Sequence, residues 1–261
     1  MVDPVSRAGR TERAELYARL PLTAADRWWL DLAREVGGPV LELGAGAGRL
    51  TTALAEVAPS VTAVESDPAM LARLRARVGD RQDGSVTVDA ADVTALPSGP
   101  AAALVALPTS LLNELPDPAA RRAAVAGAAR RCAPDGLVAM HLLAPWWLLD
   151  PPPSSAGQLR PLGGGEPVEV VIDAGGFDRW RVRREATLTY RFADGAVGTD
   201  HLDAGVVQGA ELDDCLAAAG LARITGAAPA DATLEQLGLS RPGPDAVAPQ
   251  TIAWHVLARP R

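Results

Sequence analysis

The chain predicts an α/β fold: a doubly wound, mostly parallel sheet with helices on both faces, carrying an antiparallel β insertion. Three observations carry this. Short apolar runs alternate with helical stretches as far as Leu143, at the pace of βαβ units. The first of these runs, VLEL at 40–43, breaks into GAGAG and restarts as a helix. After Ala144 the alternation stops at a proline- and glycine-rich stretch, and strand-like runs then follow one another.

In chain order, residues 1–36 read as helical, with Thr23 able to cap a helix that runs to about Val36 through Trp28, Leu30 and Leu32. Residues 40–43 are a buried strand, and 49–57 the helix that leaves the glycine loop. Residues 61–64 form the next strand, closed by Glu65-Ser66-Asp67-Pro68, and a helix follows over 69–78. A short third strand covers 86–88, before Asp92 and a turn at Leu96-Pro97. Residues 102–107 form a fourth strand, 118–132 an alanine- and arginine-rich helix, and 137–143 a fifth strand. Residues 150–166, DPPPSSAGQLRPLGGGE, are expected to hold no regular element. Antiparallel strands are expected over 168–172, 180–192 and 197–207, then a helix over 211–219 that stops at Gly220. Two last strands, near 222–225 and 251–258, flank another proline-rich loop. The expected organisation is a helical segment 1–36, an α/β domain of 37–144 and 209–261, and a β insertion over 145–208.

Composition narrows the function classes. With 48% hydrophobic residues among 261, the chain can bury a proper core. No apolar run has membrane length, and the N-terminus lacks a secretory signal, so a soluble protein of the cytoplasm without a membrane partner is expected. A net charge of −7 lacks the basic footprint that phosphate contacts need, so no nucleic-acid partner is expected. The RVRR cluster at 181–184 reads as one solvated strand face. Every basic residue is arginine, which removes the P-loop lysine, the Schiff-base lysine and the lysine general base together. Cys132 and Cys215 stand alone and far apart, giving neither a disulfide framework nor zinc spacing; no metal site is read.

The glycine loop is where a ligand is expected. Its glycines let the chain turn tightly and bring backbone N–H groups to a ligand at a helix N-terminus. Lys-Ser/Thr is missing, so this is no P-loop. The dinucleotide spacing also fails, because Arg49 follows Gly44, Gly46 and Gly48 where a third spaced glycine is needed. Glu42 lies on an apolar strand two residues before Gly44, where a carboxylate is costly without a partner. A cationic or ammonium-bearing ligand would supply one, and a pyrophosphate would be repelled. Glu65 ends the second strand, where an acid can accept from ribose hydroxyls, and Asp92 ends the third, within reach of an adenine amino group. Three acids at three successive strand ends suit a cation with a nucleoside tail.

VLELGAGAGRL, AVESDPAML and DAADVTALP resemble, in order, the first three sequence blocks of the class I S-adenosylmethionine-dependent methyltransferases, and ALVALPTSLLNEL fits the fourth. The resemblance spans about residues 38–143. It implies a seven-stranded Rossmann-like sheet, S-adenosyl-L-methionine as cofactor and S-adenosyl-L-homocysteine as product. It places Gly44, Ala45, Gly46 and Gly48 against the methionyl portion, with Glu42 on the amino group. Glu65 would hold the ribose, Ser66 and Met70 would border the adenosine, and Asp92 with the Val93 backbone would read adenine. Arg49 would pair with the cofactor carboxylate, or else be a surface cation at a helix start. Leu107, Pro108, Thr109 and Ser110 would border cofactor and substrate. The aspartate that often enters the fourth strand in the family is missing from AAALV, and the Asn-or-Asp-Pro-Pro-aromatic signature of DNA adenine methylation is absent there.

On the acceptor side, transfer requires a lone pair held roughly 3 Å from the methyl and water excluded. An amine needs only to arrive neutral, whereas a hydroxyl usually needs a base worth roughly 10²- to 10⁴-fold. His141, near the end of the fifth strand, is a candidate base or substrate contact, against a packed and hydrogen-bonded role. His201 is a second candidate; His255 reads as structural. Tyr17 lies in a segment that often folds over the cofactor in the resembled family. Trp28-Trp29 cannot both face inward from one helix. Trp146-Trp147 could wall a substrate through apolar or cation–π contact, or simply pack.

The leading expectation is an enzyme that methylates a nitrogen of a small molecule or short peptide, with the β insertion as substrate cap. The arginine- and alanine-rich composition and PTSLLNEL resemble N-methyltransferases of bacterial natural-product biosynthesis, acting on amino sugars or terminal amines of ribosomal peptides. The alternatives are an O-methyltransferase, an NAD-dependent oxidoreductase, opposed by Glu42 and Arg49, and a non-catalytic S-adenosylmethionine-binding protein. Nothing in the chain fixes an oligomeric state.

Overall fold

A computed structural model describes residues 7–79, 85–224 and 253–261. Two helices open the chain, α1 (Arg7–Arg19) and α2 (Ala24–Val36). Then come β1 (Val40–Leu43), α3 (Arg49–Leu54), β2 (Val61–Glu65), α4 (Pro68–Val78) and β3 (Val86–Ala90). After a 3-10 turn at Val93–Ala95 follow β4 (Ala102–Leu107), α5 (Leu111–Glu114), α6 (Pro118–Arg131) and β5 (Cys132–Leu143). Next are α7 (Pro145–Leu149), β6 (Ser154–Leu159), β7 (Val168–Asp178), β8 (Arg183–Arg191) and β9 (Val197–Gly205). The chain returns through α8 (Gly209–Ala218), β10 (Leu221–Arg223) and β11 (Ala253–Pro260). The expected proline-rich loop between the last two strands lies outside the described residues.

The seven-stranded sheet runs β10-β11-β5-β4-β1-β2-β3. Its pairs from β3 to β5 are parallel, and β11 is antiparallel to both neighbours. This is the Rossmann-like methyltransferase fold. Strand order reverses between β1 and β4, so a crevice opens beyond their C-terminal ends. Alternation along β1 sends Leu41 and Leu43 into the core under α6 and α8, and Val40 into the core under α2 and α3. Glu42 shares the Val40 face.

Local chemistry explains the helix starts. Asp67 accepts from the N–H groups of Ala69 and Met70, with Pro68 at the first helical position, and Asp117 with Pro118 does the same for α6. For α2, the Asp26 carboxylate reaches back to the Thr23 N–H (2.7 Å) and hydroxyl (3.1 Å).

The second sheet runs β6-β7-β8-β9 and is antiparallel throughout. Its β6 corrects the expectation for 150–166: SSAGQL contains no proline, and it pairs as an edge strand with β7, the place a sheet tolerates such neighbours. One face of this sheet packs with Leu16, Trp147 and Leu148. The arginine cluster is also not a solvated face. Arg183 is buried and donates to the Leu115 carbonyl (2.6 Å) and to Asp203 (2.7 Å), and Arg184 donates to the carbonyls of Leu148 and Leu149. These arginines satisfy loop carbonyls that neither sheet reaches. Both cysteines are buried, and burial pushes the Cys132 thiol up to about 11. No described helix is long and apolar enough to cross a membrane.

Candidate active site

A cavity of about 630 Å³ opens at the C-terminal ends of the parallel strands, within the size range of small-molecule sites. The strand-tip acids Glu42, Glu65 and Asp92 all border it, as do Gly44, Ala45 and Gly46. Helices α1 and α2 close one side through Tyr17 and Trp29, and the second sheet roofs it with Val170, Ile172, Leu188 and Tyr190.

Glu42 is the most buried of the three, at 1% exposure. The Thr51 hydroxyl donates to its Oε2 at 2.6 Å. Burial pushes this carboxyl from near 4.5 up to about 7, against the opposing pull of Thr51 and then Arg49. Glu42 is thus a buried acid that borders an open cavity.

Glu65 is prepared differently. Its Oε2 accepts from Gly46 N–H, and its Oε1 from the N–H groups of Ser66 and Asp67, each at 2.8 Å. A carboxylate has about four acceptor positions, so about one is left for a hydroxyl. The carboxylate therefore anchors the glycine loop as well as facing the cavity. Asp92 stands exposed at the rim, its Oδ1 accepting from the Thr94 N–H and hydroxyl, both at 2.8 Å. Ser66, Met70 and Val93 border the same region.

The glycines serve distinct ends. Gly44, Gly46 and Gly48 all have positive φ, which a side chain would strain. A Cβ on Gly48 would lie 2.6 Å from the Leu74 side chain, so this glycine faces α4 rather than the cavity. Arg49 borders the cavity but is already partnered: it forms an ion pair with Asp26, buried on α2. It ties the loop to α2 and is not a surface cation.

Beyond β4, Leu107 is fully buried in the main core, and Pro108 and Thr109 border the cavity. Thr109 and Ser110 are consecutive left-handed residues, at φ 53° and 55°. This conformation costs roughly 1–2 kcal/mol per non-glycine residue, so something must hold it. The Ser110 hydroxyl donates to the Thr109 carbonyl (2.7 Å), and the Ser110 N–H donates to Nδ1 of His141 (3.0 Å). A backbone N–H can only donate, so Nδ1 accepts and the neutral ring carries its proton on Nε2. His141 borders the cavity, while Ser110 is buried behind it.

The other expected substrate-side residues divide. Tyr17 borders the cavity, and its hydroxyl donates to Asp200 Oδ2 at 2.7 Å. Burial raises its pKa well above 10, so it stays a protonated donor. His201 is exposed on the outer face of β9, one residue from the inward Asp200, with Thr187 at 3.4 Å. Strand alternation puts it outside the cavity. Trp147 is core under the second sheet rather than a wall. The side chains of Trp146 and His255 lie outside the described ones. Trp29 is the inward member of the first pair, edge-on to Trp28 with centroids 4.8 Å apart.

Several site residues have no motif to announce them. Arg13, Glu114, Leu188, Tyr190 and Asp200 meet only in three dimensions. Asp26 carried a signal, the Thr23-x-x-Asp26 capping pattern, but nothing in that pattern points to Arg49.

Residues 40–136 match the family described as a methyltransferase domain. A curated relative, ribosomal RNA small subunit methyltransferase A of Nocardia farcinica, is 42% identical over 93 residues, covering 30% of this chain and 32% of that one. The chain thus spans between a quarter and a third of the length of the curated relatives it matches. Among solved structures, the CcbJ methyltransferase of Streptomyces caelestis is 19% identical with a TM-score of 0.65, over 92% of this chain and 90% of that one. CalS10 of Micromonospora echinaspora, described as an amino pentose methyltransferase, is 22% identical with a TM-score of 0.63, over 94% of both chains.

Proposed function

We propose that this chain, whose residues 40–136 match a methyltransferase domain, binds S-adenosyl-L-methionine and methylates a nitrogen of a small-molecule or peptide natural product. One observation carries the reading: Glu42, Glu65 and Asp92 border a single cavity around the glycine loop. When bound, the cofactor supplies a methyl group on positive sulfur, and the C–S electron pair leaves with the thioether. Glu42 receives the amino group, exchanging a costly buried position for a paired one. Glu65 accepts a ribose hydroxyl on its remaining position, while Met70 and Val93 pack the adenine and Asp92 stands at its rim. Tyr17 covers the site from α1. Pro108 and Thr109 border the acceptor, on a turn that His141 holds in place.

Nitrogen is favoured over oxygen because His141 and Tyr17 are already hydrogen-bonded, which leaves neither placed to take a hydroxyl proton, whereas the carboxylates that line the cavity suit a basic amine. His141 would have to release Ser110 to take a proton at Nδ1. The amino pentose activity named for CalS10 supports the same class of acceptor. A net charge of −7 and an acid-lined cavity support a small or peptide acceptor over a polyanion. Calorimetric titration with S-adenosylmethionine, S-adenosylhomocysteine and NAD tests the reading. Binding of the first two is expected; tight binding of NAD alone would overturn it.

A further inference from the structure

We infer that the acceptor is an amine on a largely apolar body, and that Glu114 is the anionic anchor that receives it as an ammonium ion and takes its proton, which frees the nitrogen lone pair to accept the methyl as the C–S pair leaves with the thioether. This rests on the methyltransferase reading above. It begins with the charges at the roofed end of the cavity, far along the chain from the glycine loop. Asp200 on β9 is held by three donors there. Its Oδ1 accepts from Arg13 Nε at 2.8 Å and from the His201 N–H at 2.9 Å, and its Oδ2 accepts from the Tyr17 hydroxyl. The charge of Arg13 is thereby matched to Asp200. Only a 3.5 Å contact joins Arg13 to Glu114.

The groups that act electrostatically with Glu114 are Arg13 and Tyr17 from α1, Asp200 from β9, Tyr190 from β8 and Glu65 at the end of β2. Burial raises both tyrosines above their usual range, so neither contributes charge. Against the single positive charge of Arg13 stand Asp200, Glu65 and Glu114 itself, which leaves Glu114 without a full counter-charge. Burial also raises the Glu114 carboxyl, against the pull of Arg13. Its backbone is rigidly mounted, because buried Arg183 donates to the Glu114 carbonyl at 3.2 Å and to the next carbonyl at 2.6 Å. The same cavity is walled by Leu143, Leu159, Val170, Ile172 and Leu188, which cluster under the second sheet. A cation on an apolar body meets both features. A carboxylate or phosphate ligand would meet like charge, and a neutral alcohol would leave Glu114 unmatched.

The test uses the full chain saturated with S-adenosylhomocysteine, titrated with cyclohexylmethylamine and its neutral isostere cyclohexylmethanol. The parent is expected to bind the amine at least tenfold more tightly than the alcohol. Glu114→Gln is expected to bring the amine down to the alcohol's affinity while leaving S-adenosylhomocysteine affinity unchanged. Glu114→Asp, which keeps the charge on a shorter arm, is expected to fall between. No preference for the amine in the parent, or the full preference retained in Glu114→Gln, overturns the inference. Failure of S-adenosylhomocysteine to bind the parent would instead sink the methyltransferase reading.

Discussion

The two ends of the cavity handle carboxyl groups in opposite ways. At the strand tips, Glu65 is held by three backbone N–H groups and Asp92 by the turn it caps, so their positions are set before any ligand arrives. Glu42 alone there waits for a charge. At the roofed end, side chains rather than backbone do the holding. Arg13 and Asp200 are separated by 187 residues, and Arg13 and Glu114 by 101. Backbone donors come with the fold, and a fold can be reused for any acceptor. Side-chain networks can be exchanged one residue at a time, which suits the end that must distinguish substrates.

Substitutions can break or sharpen that contrast. The largest effect is expected from Glu42→Gln, which should weaken S-adenosylmethionine binding by about 3 kcal/mol, roughly a hundredfold, in calorimetry. Because the parent carboxyl sits at about 7, cofactor affinity should fall as pH drops below 7 and stay flat in the variant. The raised value also means that the ligand-free parent loses stability as pH rises from about 4.5 through 7, so the variant should melt higher at pH 8. Equal pH slopes in both proteins would remove Glu42 from the site. Next, Glu65→Ala should cost about 2 kcal/mol of cofactor affinity through lost charged hydrogen bonds. An unchanged affinity would refute the ribose contact.

A smaller loss, about 1 to 2 kcal/mol of stability, is expected from His141→Ala, which strands the Ser110 N–H. His141→Asn offers an oxygen near the same place and should recover most of the melting temperature. If its rate–pH profile moves instead, His141 is a base after all. Smallest is Tyr17→Phe, expected to lower stability by about 1 kcal/mol or less by removing one bond to Asp200. A drop in transfer rate well beyond that would put the hydroxyl in the chemistry.

The strand-tip end was legible in the sequence because a parallel sheet converts position along the chain into position in space. An acid that closes a strand must stand at the sheet's C-terminal edge, so Glu42, Glu65 and Asp92 could be brought together without coordinates. Side-chain direction was less accessible. Gly48 has the composition of a ligand loop but serves the approach of Leu74, and His201 missed the cavity by one step of strand alternation. Ser154–Leu159 went unread because its flanking prolines dominate a short polar run whose strand character comes from β7. The pairing of Asp26 with Arg49, and of Asp200 with Arg13, depends on how helices dock, which no local pattern encodes.

Asn113 has a mechanical consequence. Fully buried, it donates from Nδ2 to the Gly205 carbonyl and accepts at Oδ1 from Leu143 N–H, both at 2.9 Å. It rivets the last residue of β5 to the last residue of β9, beside the Arg183 contacts. Swinging the roof away from its floor would strand these polar groups in a dry interior. On the α1 side the outer joint is cheaper to undo, since Arg19–Asp194 is 41% and 65% exposed and its separation is repaid by water, whereas Arg13 and Tyr17 hold buried Asp200. Salt should therefore loosen the outer joint of the N-terminal helix and leave the Asn113 rivet untouched.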